Sequence, residues 1–148
     1  MSTSPNTLMP DSVSAVLEIV TRDDEAMVVS GGATLVAMLN ANLVEPTSLV
    51  ALKNIPELSG ISQQSDGSIE IGAMTRHAMT ASSDLLIGSL SGVKNAASKI
   101  ANPTVRNMGT MGGSISFSDP AADYPPALVA ANAEIEIISS EGSRRVKA

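Results

Sequence analysis

The stretch from Asn102 to Pro126, NPTVRNMGTMGGSISFSDPAADYPP, sets the tightest limit on what this chain can fold into. It holds three glycines and only two acids around an uncharged core, GTMGGSIS, with helical periodicity before it and a strand pattern after it. Adjacent glycines leave backbone N–H groups unshielded by Cβ atoms, so a chain turning at Gly112-Gly113 can point several donors at one anion. The pattern reads as a phosphate-binding segment set between regular elements.

A second glycine pair repeats the design nearer the N-terminus. Ala26 to Val29 is a short apolar run suited to a buried strand, Ser30-Gly31-Gly32 stops it, and Leu35, Val36, Met38 and Leu39 continue as a helix to about Asn42. Strand, glycine turn and helix in that order suit a phosphate at a helix start. The turn has neither the lysine of a Walker A loop nor the third glycine of a Rossmann fingerprint, so taken alone it admits a structural turn as well as a ligand loop. Charge runs the same way at both places. No charge of either sign lies between Glu25 and Glu45, and no acid lies between Asp84 and Asp119, where Lys94, Lys99 and Arg106 stand. A dinucleotide site should keep carboxylates from the pyrophosphate, although simple burial of both windows would produce the same pattern.

The remaining chain supplies the frame. Met1 to Pro10 reads as a frayed tail, and Asp11 or Ser12 caps a helix to about Val20 with Val13, Val16, Leu17 and Val20 on one face. Leu49 to Leu52 forms a strand, and Ile61–Gln63 and Ser68–Gly72 pair as a hairpin around Ser65-Asp66-Gly67, where Asp-Gly supplies the positive φ. Leu86, Leu90, Val93, Ala97 and Ile100 fall on one helical face that Asn102-Pro103 ends. Tyr124-Pro125-Pro126 opens a helix to Ala131, Ala133 to Ile137 alternates as a strand, and a returning strand begins at Arg144. His77, the sole histidine, has no nucleophile arranged around it and takes a structural or helix-starting role. Met108 and Met111 read as packing residues, and Arg106 either meets phosphate or braces the loop.

Several function classes drop out. Zero cysteines exclude disulfides and thiolate-held iron–sulfur clusters on this chain, and one histidine makes a self-contained zinc site unsuitable, so no metal is expected here. A net charge of −6 with only Phe117 and Tyr124 as aromatics argues against nucleic acid. No apolar run reaches the roughly 18 residues of a membrane span, and the N-terminus lacks the basic and apolar regions of a signal peptide, from which a cytoplasmic location is expected.

Thr104 to Gly113, followed by Asp119-Pro120-Ala121-Ala122-Asp123, resembles the FAD-binding medium subunit of molybdenum hydroxylases, the carbon monoxide and xanthine dehydrogenase family. Ser30-Gly31-Gly32-Ala33-Thr34-Leu35 looks like that family's first FAD loop, usually Ala-Gly-Gly-x-x-Leu, and Thr110 to Ser114 like its second, commonly Thr-Ile-Gly-Gly-Asn. The resemblance implies an α+β fold of the PCMH-like, molybdopterin dehydrogenase type: a small βαβ-like subdomain over residues 11–52 and an antiparallel sheet with helices over 53–148. It implies FAD as cofactor, held by Val29, Ser30, Gly31, Gly32, Ala33, Thr34 and Leu35 in one loop, Thr110, Met111, Gly112, Gly113 and Ser114 in the other, and Asp123 on the ribose. Asp123 could equally cap the helix after it. Ser114 and Phe117 stand where the family usually has asparagine, which removes two amides.

By the same resemblance the chain is an oxidoreductase subunit with no acid–base residue of its own. Its partners would be a molybdopterin-binding large subunit and an iron–sulfur small subunit, and FAD would pass their electrons to an acceptor. The match reaches only about the first half of a usual family subunit, so a truncated chain that binds FAD poorly and is inactive alone is expected. A scaffold that has lost FAD, or another flavoenzyme of the same superfamily, are the alternatives.

Overall fold

The computed structural model describes residues 5–148. The N-terminal part is a parallel sheet with helical crossovers. Strand β1 (Asn6–Leu8) leads into helix α1 (Val13–Arg22), whose first amides are served by Ser12 accepting from Ala15 N at 3.3 Å. Strand β2 (Met27–Val29), helix α2 (Leu35–Asn40) and strand β3 (Ser48–Ala51) follow. The sheet order is β1-β3-β2 and every pairing is parallel, with Val28 opposite Val50. Val50, 0% exposed, packs with Val16 and Ile55, and Val13, Ile19 and Val20 of α1 close over them. Leu17, expected on that face, instead lines a surface cleft with Glu18 and Arg22.

The frayed tail expected for Met1 to Pro10 is corrected at Asn6–Leu8, because β3 has a free edge whose carbonyls and amides pair with it residue for residue. Met1 to Ser4 lie outside the described residues.

The second part is built on helices around a separate core. Strands β4 (Ile61–Gln63) and β5 (Ile69–Ile71) form the expected hairpin, and Gly67 takes φ +86° at its turn. Helix α3 (His77–Ser82) follows, then α4 (Ser91–Lys99), α5 (Pro103–Met108), α6 (Met111–Phe117) and α7 (Tyr124–Ala130). Strands β6 (Glu134–Ser139) and β7 (Gly142–Lys147) close the chain as a second hairpin. Leu86, Val93, Ala97, Met111, Tyr124 and Leu128 form the core, with Ile61, Ile69 and Ile71 of the first hairpin packed on it.

Three expectations change here. The single antiparallel sheet is two separate two-stranded ribbons among the described residues. The α-helix expected from Leu86 begins only at Ser91, after a single 3-10 turn over Gly88–Leu90, because Gly88 at φ +56° breaks the α-helical path from Leu86. The central glycine segment is not a loop: Asn102 caps α5 by accepting from Val105 N at 3.0 Å, Pro103 takes the first helical position, and Thr110 caps α6. Gly112 and Gly113 therefore lie in the first turn of α6.

Candidate functional site: two glycine segments held face to face

Gly31 is where the two segments meet. A Cβ there would land on the carbonyl of Met108 and within 2.9 Å of Gly109 Cα, so only glycine lets the backbones touch. The next residue, Gly32, turns the chain at φ +76° into α2. Ser30 makes the polar link: its hydroxyl lies 2.5 Å from Thr110 Oγ1 and 3.0 Å from Met74 Sδ.

The donors are divided unequally between the segments. In the second, Met111 N donates to Thr75 O and Gly112 N to Ala73 O, each at 2.9 Å, while Gly113 N donates to Thr110 Oγ1 and Ser114 N to Thr110 O. Those amides are occupied inside the protein. This corrects the expectation that a turn at Gly112-Gly113 would present its donors outward: as the start of a helix wedged against Ala73–Thr75, the pair is close-packed. A Cβ on Gly112 would approach Ala73 Cβ to 2.6 Å, and one on Gly113 would approach Thr110 Oγ1 to 2.9 Å. In the first segment the four amides from Gly31 to Thr34 have no acceptor among the described residues, and Gly31, Gly32 and Ala33 are half-buried. A buried or half-buried N–H without a partner is costly unless something supplies an acceptor.

A buried pair stands behind the second segment. His77 N donates to Gly109 O at 3.0 Å, and His77 Nδ1 lies 3.0 Å from the Tyr124 hydroxyl. Both rings are buried, His77 4% and Tyr124 0% exposed. Burial lowers the imidazole's pKa, and it raises the phenol to about 12, a rise that the Thr80 hydroxyl opposes and the Asp123 carboxylate supports. Tyr124 follows Asp123 directly, so the phenol ties the start of α7 to Gly109. Asp123 is exposed at the N-cap position and makes no side-chain cap bond, which removes the capping role offered for it. Arg106 braces rather than reaching outward, donating from Nη1 to Ile100 O at 2.7 Å across the turn where Ala101 holds φ +40°. Met111 is buried as expected, whereas Met108 is 43% exposed because its contact with Gly31 is made by its backbone.

Residues that sequence reasoning missed are Ala73, Met74, Thr75 and Tyr124. The first and third act through backbone carbonyls, which leave no side-chain signature. Tyr124 carried a usable signal as one of two aromatics in the chain.

Residues 3–148 match the family described as the FAD binding domain in molybdopterin dehydrogenase. The chain belongs to this family. Among relatives of this FAD-binding domain is the 6-hydroxypseudooxynicotine dehydrogenase complex subunit alpha of Paenarthrobacter nicotinovorans, 37% identical over 140 residues, which are 94% of this chain and 47% of the relative. The carbon monoxide dehydrogenase medium chain of Afipia carboxidovorans is 32% identical over 140 residues, covering 94% and 48%. In three dimensions the domain superposes on a carbon monoxide dehydrogenase from Hydrogenophaga pseudoflava with a TM-score of 0.93 at 31% identity, over 99% of this chain and 51% of that one. The chain thus spans about half the length of the relatives it matches. The α+β fold and FAD, the cofactor expected from the sequence, are those of the family. No helix of the described residues is long and apolar enough to cross a membrane.

The first segment fits such a cofactor on its own geometry. A diphosphate is an anion with several acceptor oxygens, and here four unpartnered amides stand in a segment without a single charged side chain.

Proposed function

We propose that this FAD-binding domain serves as the electron-transfer part of a molybdenum hydroxylase, assembled with a molybdopterin-binding large subunit and an iron–sulfur small subunit in the cytoplasm. The observation that carries the cofactor half of this reading is the row of unpartnered amides from Gly31 to Thr34, braced against a second segment whose own amides are occupied. In this reading Gly31, Gly32, Ala33 and Thr34 donate to the pyrophosphate, with Val29 and Leu35 anchoring the loop in β2 and α2. Thr110 to Ser114 shape the opposite wall, and Asp123, exposed and free of capping, accepts from the ribose hydroxyls. FAD, when bound, supplies the redox chemistry that lets electrons move on to an acceptor. The chain's own part is binding and orientation, and no residue is assigned as an acid or base.

Relatives named as medium chains and as subunits of dehydrogenase complexes support the assembly. Titrating the chain with FAD and following flavin fluorescence tests the cofactor role. ADP, which carries the pyrophosphate, should compete, and FMN, which lacks it, should not. Binding of FMN as tight as that of FAD would overturn the assignment of the loop. Co-purification of the two partner subunits with a tagged chain tests the assembly.

A further inference from the structure

We propose that the Ser30 side chain is a positioning residue: it holds the loop of free amides at a fixed spacing from the second glycine segment through a directed chain of hydroxyl hydrogen bonds. The inference rests on the reading of Gly31–Thr34 as the pyrophosphate loop. Proton counting gives the chain its direction. Ser30 Oγ donates its only proton to Met74 Sδ, 3.0 Å away. Across the 2.5 Å contact the Thr110 hydroxyl is therefore the donor and Ser30 the acceptor. Thr110 Oγ1 in turn accepts from Gly113 N at 3.2 Å. The order is Gly113 N–H to Thr110, Thr110 to Ser30, Ser30 to the thioether.

Three stretches distant in sequence meet at this one hydroxyl. Ala73–Thr75 already grips the second segment through the Met111 and Gly112 amides. The first loop has no such grip: among the described residues, its only hydrogen bonds to either other stretch are the two made by Ser30 Oγ. Gly31 against Met108–Gly109 sets how near the loops can come, and Ser30 stops them from parting. A loop whose donors are pre-set loses less on binding than one that must be ordered first, so the tether acts on affinity without touching the ligand. Thr110 is 3% exposed, so removing Ser30's oxygen leaves a buried hydroxyl proton with no acceptor.

The test uses Ser30→Ala, Thr110→Val and Thr110→Ser. Backbone ¹⁵N relaxation of the cofactor-free chain reports the loop directly, and FAD titration reports its consequence. Expected is that Ser30→Ala lowers the order parameters of Gly31–Thr34 from about 0.85 to below about 0.6 and weakens FAD binding about tenfold, with the circular dichroism spectrum unchanged. Thr110→Ser, which keeps the hydroxyl, should match the parent in both, and Thr110→Val should match Ser30→Ala. Loop order parameters in Ser30→Ala equal to the parent's would overturn the tether, as would Thr110→Ser behaving like Thr110→Val. If Thr110→Val does not fold, Ser30→Ala decides alone, since it leaves the α6 cap in place. FAD binding with which ADP does not compete refutes the pyrophosphate reading, and relaxation of the cofactor-free chain then still decides whether Ser30 orders the loop.

Discussion

Replacing Tyr124 by Phe should destabilise the domain near neutrality by a margin that closes as pH rises towards about 12. The ring stays and its packing in the core with Leu86, Val93 and Leu128 is preserved, so the change isolates the hydroxyl. At pH 8 the loss comprises the bond to His77 Nδ1 at 3.0 Å and the cost of leaving that buried nitrogen without its partner, together about 2 kcal/mol. For a chain of 148 residues this lowers Tm by about 4–8 °C. The alkaline arm follows from the phenol's pKa, raised by burial from 10.0 to about 12. Because the folded value lies above the unfolded one, the stability it carries is fully present below pH 10 and is lost as pH rises through about 12. At 1.36 kcal/mol per pH unit that loss approaches about 2.7 kcal/mol, and the Phe variant does not suffer it. The two stability curves should therefore converge above pH 10 and meet near pH 12. Urea unfolding of both proteins at matched pH values measures this, and the difference between them cancels the titration of lysines and arginines common to both. A gap that stays constant from pH 8 to pH 12 would refute the argument, because it would mean the phenol titrates normally in the folded state.

Gly31→Ala should lower FAD affinity by about a hundredfold or more, since the loops must part to clear the Met108 carbonyl and misalign the amide row; unchanged binding in a fluorescence titration would show that the loops do not meet as described. Gly92→Ala, where an added Cβ meets open space on α4, should instead raise stability by about 0.5 kcal/mol in chemical denaturation and leave FAD binding alone. Lys94→Ala should change FAD affinity by less than about tenfold, because the ammonium donates to Ser83 O at 2.8 Å; a larger loss would assign it to the anion. Below pH 6.5 stability should fall as pH drops, since burial holds His77 neutral in the fold while the unfolded chain takes up the proton; an acid limb unchanged in His77→Gln would count against this.

What the sequence by itself determined is local. The stop of β2 at Ser30-Gly31-Gly32, the Asp66-Gly67 hairpin, a helix cap at Asp11 or Ser12 and the acid-free windows around both glycine pairs were all readable, because each depends on one residue's conformational freedom or on its near neighbours. The same local logic failed where two signals overlapped: Asn102-Pro103 ends one helix and also starts the next, and only the ending was read. What tertiary structure decided is which amides remain free. Gly31-Gly32 and Gly112-Gly113 look alike as sequence, yet the carbonyls of Ala73 and Thr75 come from about 40 residues away in the chain to accept from Gly112 N and Met111 N, while no acceptor among the described residues reaches the amides of the first pair. The edge strand Asn6–Leu8 belongs to the same class, since its three residues are a strand only because β3 leaves an edge to pair with. A backbone hydrogen bond is made between groups that every residue but proline carries, so composition cannot say which partner wins; distance in the folded chain does.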